Sequence, residues 1–107
     1  MAATTSDMIR GHIDTIILKL LMDTDKYGYE ISKLVSAGSD GEYELKEATM
    51  YSSLKRMERE EAITSYWGDE TQGGRRKYYS ITSKGKDTYE QNKRNWENVQ
   101  RILNNLI

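Results

Sequence analysis

A mostly α fold with one small β-hairpin, of the α+β class, is predicted by three stretches of this 107-residue chain. The first, Lys46 to Glu61, repeats apolar residues at helical spacing. It leads straight into the second, a pair of runs rich in aromatic and β-branched residues, Ile63 to Trp67 and Lys77 to Ile81. A loop containing Gly73-Gly74 joins them, which reads as a hairpin. In the third, beyond Thr82, a heptad pattern continues to the C-terminus. A helix followed by a hairpin whose returning strand opens on Arg75-Arg76-Lys77 is the layout of a winged helix-turn-helix. Residues 1–82 are expected to form that domain, and 83–107 a dimerisation helix. Such a layout offers a duplex two probes: a helix for the major groove and a basic wing for the backbone or minor groove.

Asp7 reads as the N-cap of a first helix ending near Met22, along which Ile9, Ile13, Ile16, Ile17, Leu20 and Leu21 form one wide apolar face. Asp23 to Lys26 is a polar break. A second helix is expected over Tyr27 to Ala37, with Ile31, Leu34 and Val35 inward, followed by the loop Gly38-Ser39-Asp40-Gly41. Glu42 to Leu45 is expected as a short edge strand.

In the third helix Met50, Leu54 and Met57 fall at i, i+4 and i+7 and face the core. The opposite side carries Ala48, Ser52, Lys55 and Arg59, flanked by Thr49 and Arg56 on one side and Tyr51 on the other. Small hydrogen-bonding side chains let a helix approach base edges, and the cations behind them suit phosphates. Lys46 stands where Asn, Ser, Thr or Asp would cap this helix, so its start is expected to be weaker by about 1 kcal/mol. In the last helix, capped by Thr82, residues Tyr89, Trp96, Val99, Leu103 and Leu106 occupy a and d positions, with Asn92 interrupting. With little domain left for that seam to cover, a second subunit is its expected partner.

Composition excludes several classes. There is no Cys and one His, so disulfides, thiolate chemistry and multi-His metal sites are out; no metal or cofactor is expected. Ile13 to Met22 is interrupted by Asp14 and Lys19, and no segment approaches the roughly 20 apolar residues of a membrane span. Met1 to Asp7 lacks the features of a signal peptide, which makes a cytoplasmic protein the expectation. His12 lies beside apolar Ile13 on a helix without a catalytic acid-and-nucleophile constellation, Glu60-Glu61 lies in charged context, and Gly73-Gly74 opens no helix. No enzyme is expected. The net charge of −1 is unpromising for nucleic acid, yet Gly73 to Lys86 holds five cations and no acid. A local basic patch is the footprint of a DNA binder whatever the total charge. A winged helix used only for protein contacts is the alternative that the total charge supports.

Three segments carry a family resemblance: Tyr27-Gly28-Tyr29-Glu30-Ile31, Glu47 to Glu58 (EATMYSSLKRME), and Gly73 to Thr82 (GGRRKYYSIT). With them the chain resembles, from Ile9 to Leu106, the PadR family of bacterial transcriptional repressors. The single C-terminal helix is similar to the short PadR subfamily. Ser65-Tyr66-Trp67-Gly68-Asp69-Glu70 and the placing of Trp96 look like its multidrug-binding members.

The resemblance implies a homodimer in which the C-terminal helix packs on the first helix of the other subunit, placing Ile9, Ile13, Ile16, Tyr89, Trp96, Val99, Leu103 and Leu106 at the interface. It implies a palindromic double-stranded DNA operator with half-sites about one turn, roughly 10 bp, apart or a multiple of that. Thr49, Tyr51 and Ser52 would approach bases and nearby phosphates. Lys55, Gln72, Gly73, Gly74, Arg75, Arg76 and Lys77 would engage the backbone. It also implies a central pore where flat aromatic molecules stack between Trp96 and its symmetry mate, lined by Met8, Gly11, Thr15, Lys93 and Gln100. Three of these positions depart from the pattern, which has an aromatic residue near Lys93, an acid at Gln100 and an apolar residue at Thr15. Read without the resemblance, Trp96 is better explained by packing at the seam.

Overall fold

The computed structural model describes residues 4–68 and 74–107. Among these described residues five helices and three strands follow in the order α1 (Thr5–Arg10), α2 (Ile13–Leu20), β1 (Lys26–Tyr27), α3 (Gly28–Gly38), α4 (Glu47–Arg59), β2 (Ile63–Trp67), β3 (Lys77–Ile81) and α5 (Ser83–Leu106). The strands form one antiparallel sheet, ordered β1-β3-β2.

The expected first helix is two helices. Thr4, not Asp7, is the N-cap: its hydroxyl accepts the Asp7 N–H, and the Asp7 carboxylate accepts the Thr4 N–H, both at 3.1 Å. These bonds hold the Asp7 carboxyl below its usual range. The helix then breaks at Gly11-His12, where the His12 N–H bonds back three residues to the Ile9 carbonyl at 2.7 Å. Glycine disfavours a helix interior by about 1 kcal/mol relative to alanine. Across the break the apolar face continues, and Ile13, Ile17, Leu18 and Leu21 are buried.

The polar break holds a buried lysine. Lys26, 6 % exposed, donates from Nζ to the Leu20 carbonyl at 2.6 Å, the Asp23 carboxylate at 2.7 Å and the Thr24 hydroxyl at 2.9 Å. It thus closes the end of α2 and satisfies a terminal helix carbonyl. The Lys26 bond, with the Thr24 N–H, pulls the Asp23 carboxyl below its ordinary range.

Glu42 to Leu45 is not a strand. Tyr43 and Leu45 point into the core and their glutamate neighbours point out, but the outer edge of β3 is occupied by Lys26 and Tyr27, opposite Tyr79 and Tyr78. Here the Ser39 hydroxyl takes the place of a neighbouring strand. It accepts the Tyr43 N–H at 3.1 Å and donates to the Tyr43 carbonyl at 3.2 Å.

Helix α4 follows its apolar spacing: Met50, Leu54 and Met57 are fully buried against Ile17, Leu18, Ile31 and Ile63. Lys46 is its N-cap and makes no side-chain capping bond. The helix ends in a Schellman-type closure, with Ala62 N–H on the Met57 carbonyl at 2.9 Å and Glu61 in the left-handed region at φ 65°. Thr82 caps α5 through the Gly85 N–H at 3.0 Å, and its own N–H reaches the Ala62 carbonyl at 3.1 Å. The Ala62 carbonyl thereby anchors the start of α5 to the end of α4. Tyr89 continues into the core, whereas beyond it the apolar residues of α5, from Trp96 to Leu106, are exposed.

Candidate nucleic-acid interface

On α4 the side away from the core exposes Ala48, Ser52, Lys55 and Arg59, while Thr49 is half-buried. Tyr51 is 36 % exposed, and its ring lies over the first residue of α3. A Cβ on Gly28 would come 2.9 Å from the Tyr51 Cζ and 3.1 Å from the Met50 Cε, so glycine is what leaves room for these two side-chain ends here. Arg56 has a different role from its flank neighbours. Its Nη2 donates to the Asp14 carboxylate at 2.7 Å and its Nη1 to Glu60 at 3.4 Å, and the first of these ties α4 to α2. The Asp14 bond holds the guanidinium still more firmly protonated.

The wing is the β2–β3 hairpin, closed beyond the Trp67–Lys77 pair by the Gly68 N–H on the Arg76 carbonyl at 2.6 Å. Gly74 has φ 87°, a conformation that favours glycine. Gln72 and Gly73 lie outside the described residues. Arg75, Arg76 and Lys77 are all exposed, and each has an aromatic neighbour. Arg76 lies 4.6 Å from the Tyr27 ring centre, Arg75 5.6 Å from that of Trp67, and Lys77 6.0 Å from that of Tyr79. Together with Tyr51, Gly28 and Tyr29 these residues line a groove of about 540 Å³. The structure therefore brings Tyr51 and the three cations together, with Ser52 and Lys55 on the exposed face of α4.

The sequence reading gives Tyr27, Tyr29 and Trp67 no place in the nucleic-acid interface. Their signal was composition: aromatic residues either side of a glycine at a helix start, and a tryptophan closing a strand that faces cations.

A second groove, of about 570 Å³, runs between α2, α3 and the middle of α5, and it is mainly apolar: Ile9, Ile16, Leu20, Leu34, Tyr43 and Tyr89 contribute. Thr15, Lys93 and Trp96 also line it, whereas Met8, Gly11 and Gln100 do not. Trp96 is 46 % exposed and meets the His12 ring edge-on, 6.4 Å between centres. Of the expected interface residues, Ile13 and Tyr89 lie in the subunit's own core, and Ile9 and Ile16 pack against it. Trp96, Val99, Leu103 and Leu106 are exposed, and so is Ile102, which widens the seam. Among the described residues no cluster of His, Asp and Glu could hold a metal ion, and no helix is long and apolar enough to cross a membrane.

Comparison with known proteins gives a consistent result. Residues 17–91 match the transcriptional regulator PadR-like family. An uncharacterised protein of Lysinibacillus sphaericus is 46 % identical over 98 residues, covering 92 % of this chain and 90 % of that one. A transcriptional regulator from Clostridium thermocellum has the same fold at TM-score 0.89 and 45 % identity, covering 98 % of this chain and 99 % of its own. A PadR family transcription regulator from Clostridium difficile superposes at TM-score 0.78, also at 45 % identity, over 90 % of this chain and 98 % of its own. With the family match spanning most of the winged fold and these relatives spanning nearly the whole chain, the protein belongs to the PadR-like family of transcriptional regulators.

Proposed function

We propose that this regulator is a repressor that binds a palindromic operator as a homodimer, with residues 1–82 reading DNA and 83–107 joining the subunits. It is a DNA-binding protein of a regulator family, not an enzyme, and in this reading it works in the cytoplasm. The observation that carries the proposal is the shared groove, in which Tyr51 of α4 and the three wing cations face one another. A duplex laid against that side meets the helix and the wing at once. Ser52 and Thr49 are small enough for base edges, and Lys55, Arg75, Arg76 and Lys77 suit phosphates. The dimer is supported by two apolar surfaces that one subunit leaves uncovered, the groove beside α2 and the distal seam of α5.

Neutralising Arg75 tests the wing. Arg75→Ala is expected to weaken binding to every duplex and to shallow the salt dependence by about one phosphate contact. Unchanged affinity and slope, measured by titration over a range of salt concentrations, would remove the wing from the interface.

The finer part of the proposal is a flat aromatic ligand stacked on Trp96 and releasing DNA. Its support is the half-exposed indole at the edge of an apolar groove. Flat aromatic compounds are then expected to quench tryptophan fluorescence in the wild type and not in Trp96→Ala. Quenching that survives the substitution would move the site, with Trp67 the next candidate.

A further inference from the structure

We propose that Tyr27 and Trp67 are positioning residues for DNA binding, holding the Arg76 and Arg75 guanidinium groups flat so that their N–H edges face the phosphates. The inference deepens the DNA-binding reading and rests on it. A guanidinium stacked on a ring uses its face, leaving the in-plane N–H donors free for a phosphate. Here two arginines lie over rings from different elements, the Arg76 guanidinium 4.6 Å from the Tyr27 ring centre and that of Arg75 5.6 Å from the Trp67 ring centre. Tyr27 comes from β1 and the start of α3, and its ring is itself set edge-on against Tyr78, 5.6 Å between centres at 75°. Trp67 ends β2, where it pairs with Lys77.

Charge and exposure favour a role beyond folding. Trp67 is 57 % exposed, so its ring contributes little to the core, and its cationic neighbour Arg75 is itself exposed. Neither wing arginine forms a salt bridge among the described residues. Stacking therefore restricts side chains that would otherwise lose much rotamer freedom on binding. It also links the wing to α3: through Tyr27, Arg76 is referenced to the helix start that Tyr51 of α4 overlies.

The test is a double-mutant cycle read by duplex affinity at several salt concentrations, using DNA carrying the promoter of the protein's own gene. Trp67→Leu is expected to lose about fivefold in affinity, the effect of one exposed cation–aromatic contact, and Trp67→Tyr to recover most of it. In an Arg75→Ala background, Trp67→Leu should cost nothing further. Tyr27→Leu and Arg76→Ala form a second cycle with the same expectation, with Tyr27→Phe as the rescue. Because Tyr27 is half-buried, thermal melts accompany that cycle, and the exposed Trp67 cycle decides if Tyr27→Leu fails to fold. Equal losses in both backgrounds, or no loss from Trp67→Leu, would overturn the proposal. A wild type that shifts no duplex even at low salt would instead overturn the DNA reading itself, a result separable from additive losses.

Discussion

Replacing Gly85 with alanine is expected to destabilise the subunit by about 3 kcal/mol or more, even though alanine is the better helix former by about 1 kcal/mol. The two effects have opposite signs, and geometry decides between them. A Cβ at Gly85 would fall on the Ala62 carbonyl oxygen and 2.8 Å from the Ile81 Cγ1. The main obstacle is backbone, so no rotamer change relieves it. That carbonyl also accepts the Thr82 N–H, so moving it loosens the cap of α5. Gly38→Ala is the matched control: it ends α3, and a Cβ there meets nothing within 4 Å. Chemical denaturation should show the first variant markedly weakened and the second neutral or slightly stabilised. A stabilised Gly85→Ala would show that the start of α5 does not sit against Ala62 and Ile81 as described.

The second large effect is expected at the distal seam. Val99 and Leu103 are 52 % and 44 % exposed in the subunit, so glutamate at both should leave its fold intact. In a dimer, four carboxylates would be brought into an apolar interface, where an unpaired charge is strongly disfavoured. Val99→Glu with Leu103→Glu should give a folded monomer by sedimentation. Losing the second tethered reading head should reduce operator affinity by about 10²- to 10³-fold. A folded monomer that still binds at wild-type affinity would detach operator binding from the seam.

Strong local patterns were legible. The i, i+4, i+7 spacing of Met50, Leu54 and Met57 placed α4 and its buried side. The aromatic and β-branched runs placed both wing strands at their observed limits, Ile63–Trp67 and Lys77–Ile81. Thr82 is the cap of α5, and Lys46 the uncapped start of α4, as read.

The readings that failed depended on tertiary neighbours or, in the first helix, on one local turn. Glu42 to Leu45 alternates in burial as a strand does, but the free edge of the sheet belongs to two residues, Lys26–Tyr27, too short a run to show a period. The first helix broke at Gly11 because one tightened turn outweighed a continuous apolar face. Lys26 read only as part of a polar break, because its acceptors on Leu20, Asp23 and Thr24 come together only when α2 ends. On the wing, the three cations were legible as a charge run. Their placing over Tyr27, Trp67 and Tyr79 was not: Arg76 meets Tyr27 at a helix start far back in the chain, and Arg75 meets Trp67 only once the two strands pair.

The central claim is that two copies of one groove, lined by Tyr51 and the wing cations, read a duplex together. A footprint of the wild-type dimer on the promoter of its own gene tests it most directly. The account predicts two protected patches related by a two-fold axis, their centres about one helical turn, roughly 10 bp, or a multiple of that apart. No protection at low salt from a protein confirmed as a dimer would contradict it, and would leave the winged fold to serve protein contacts alone.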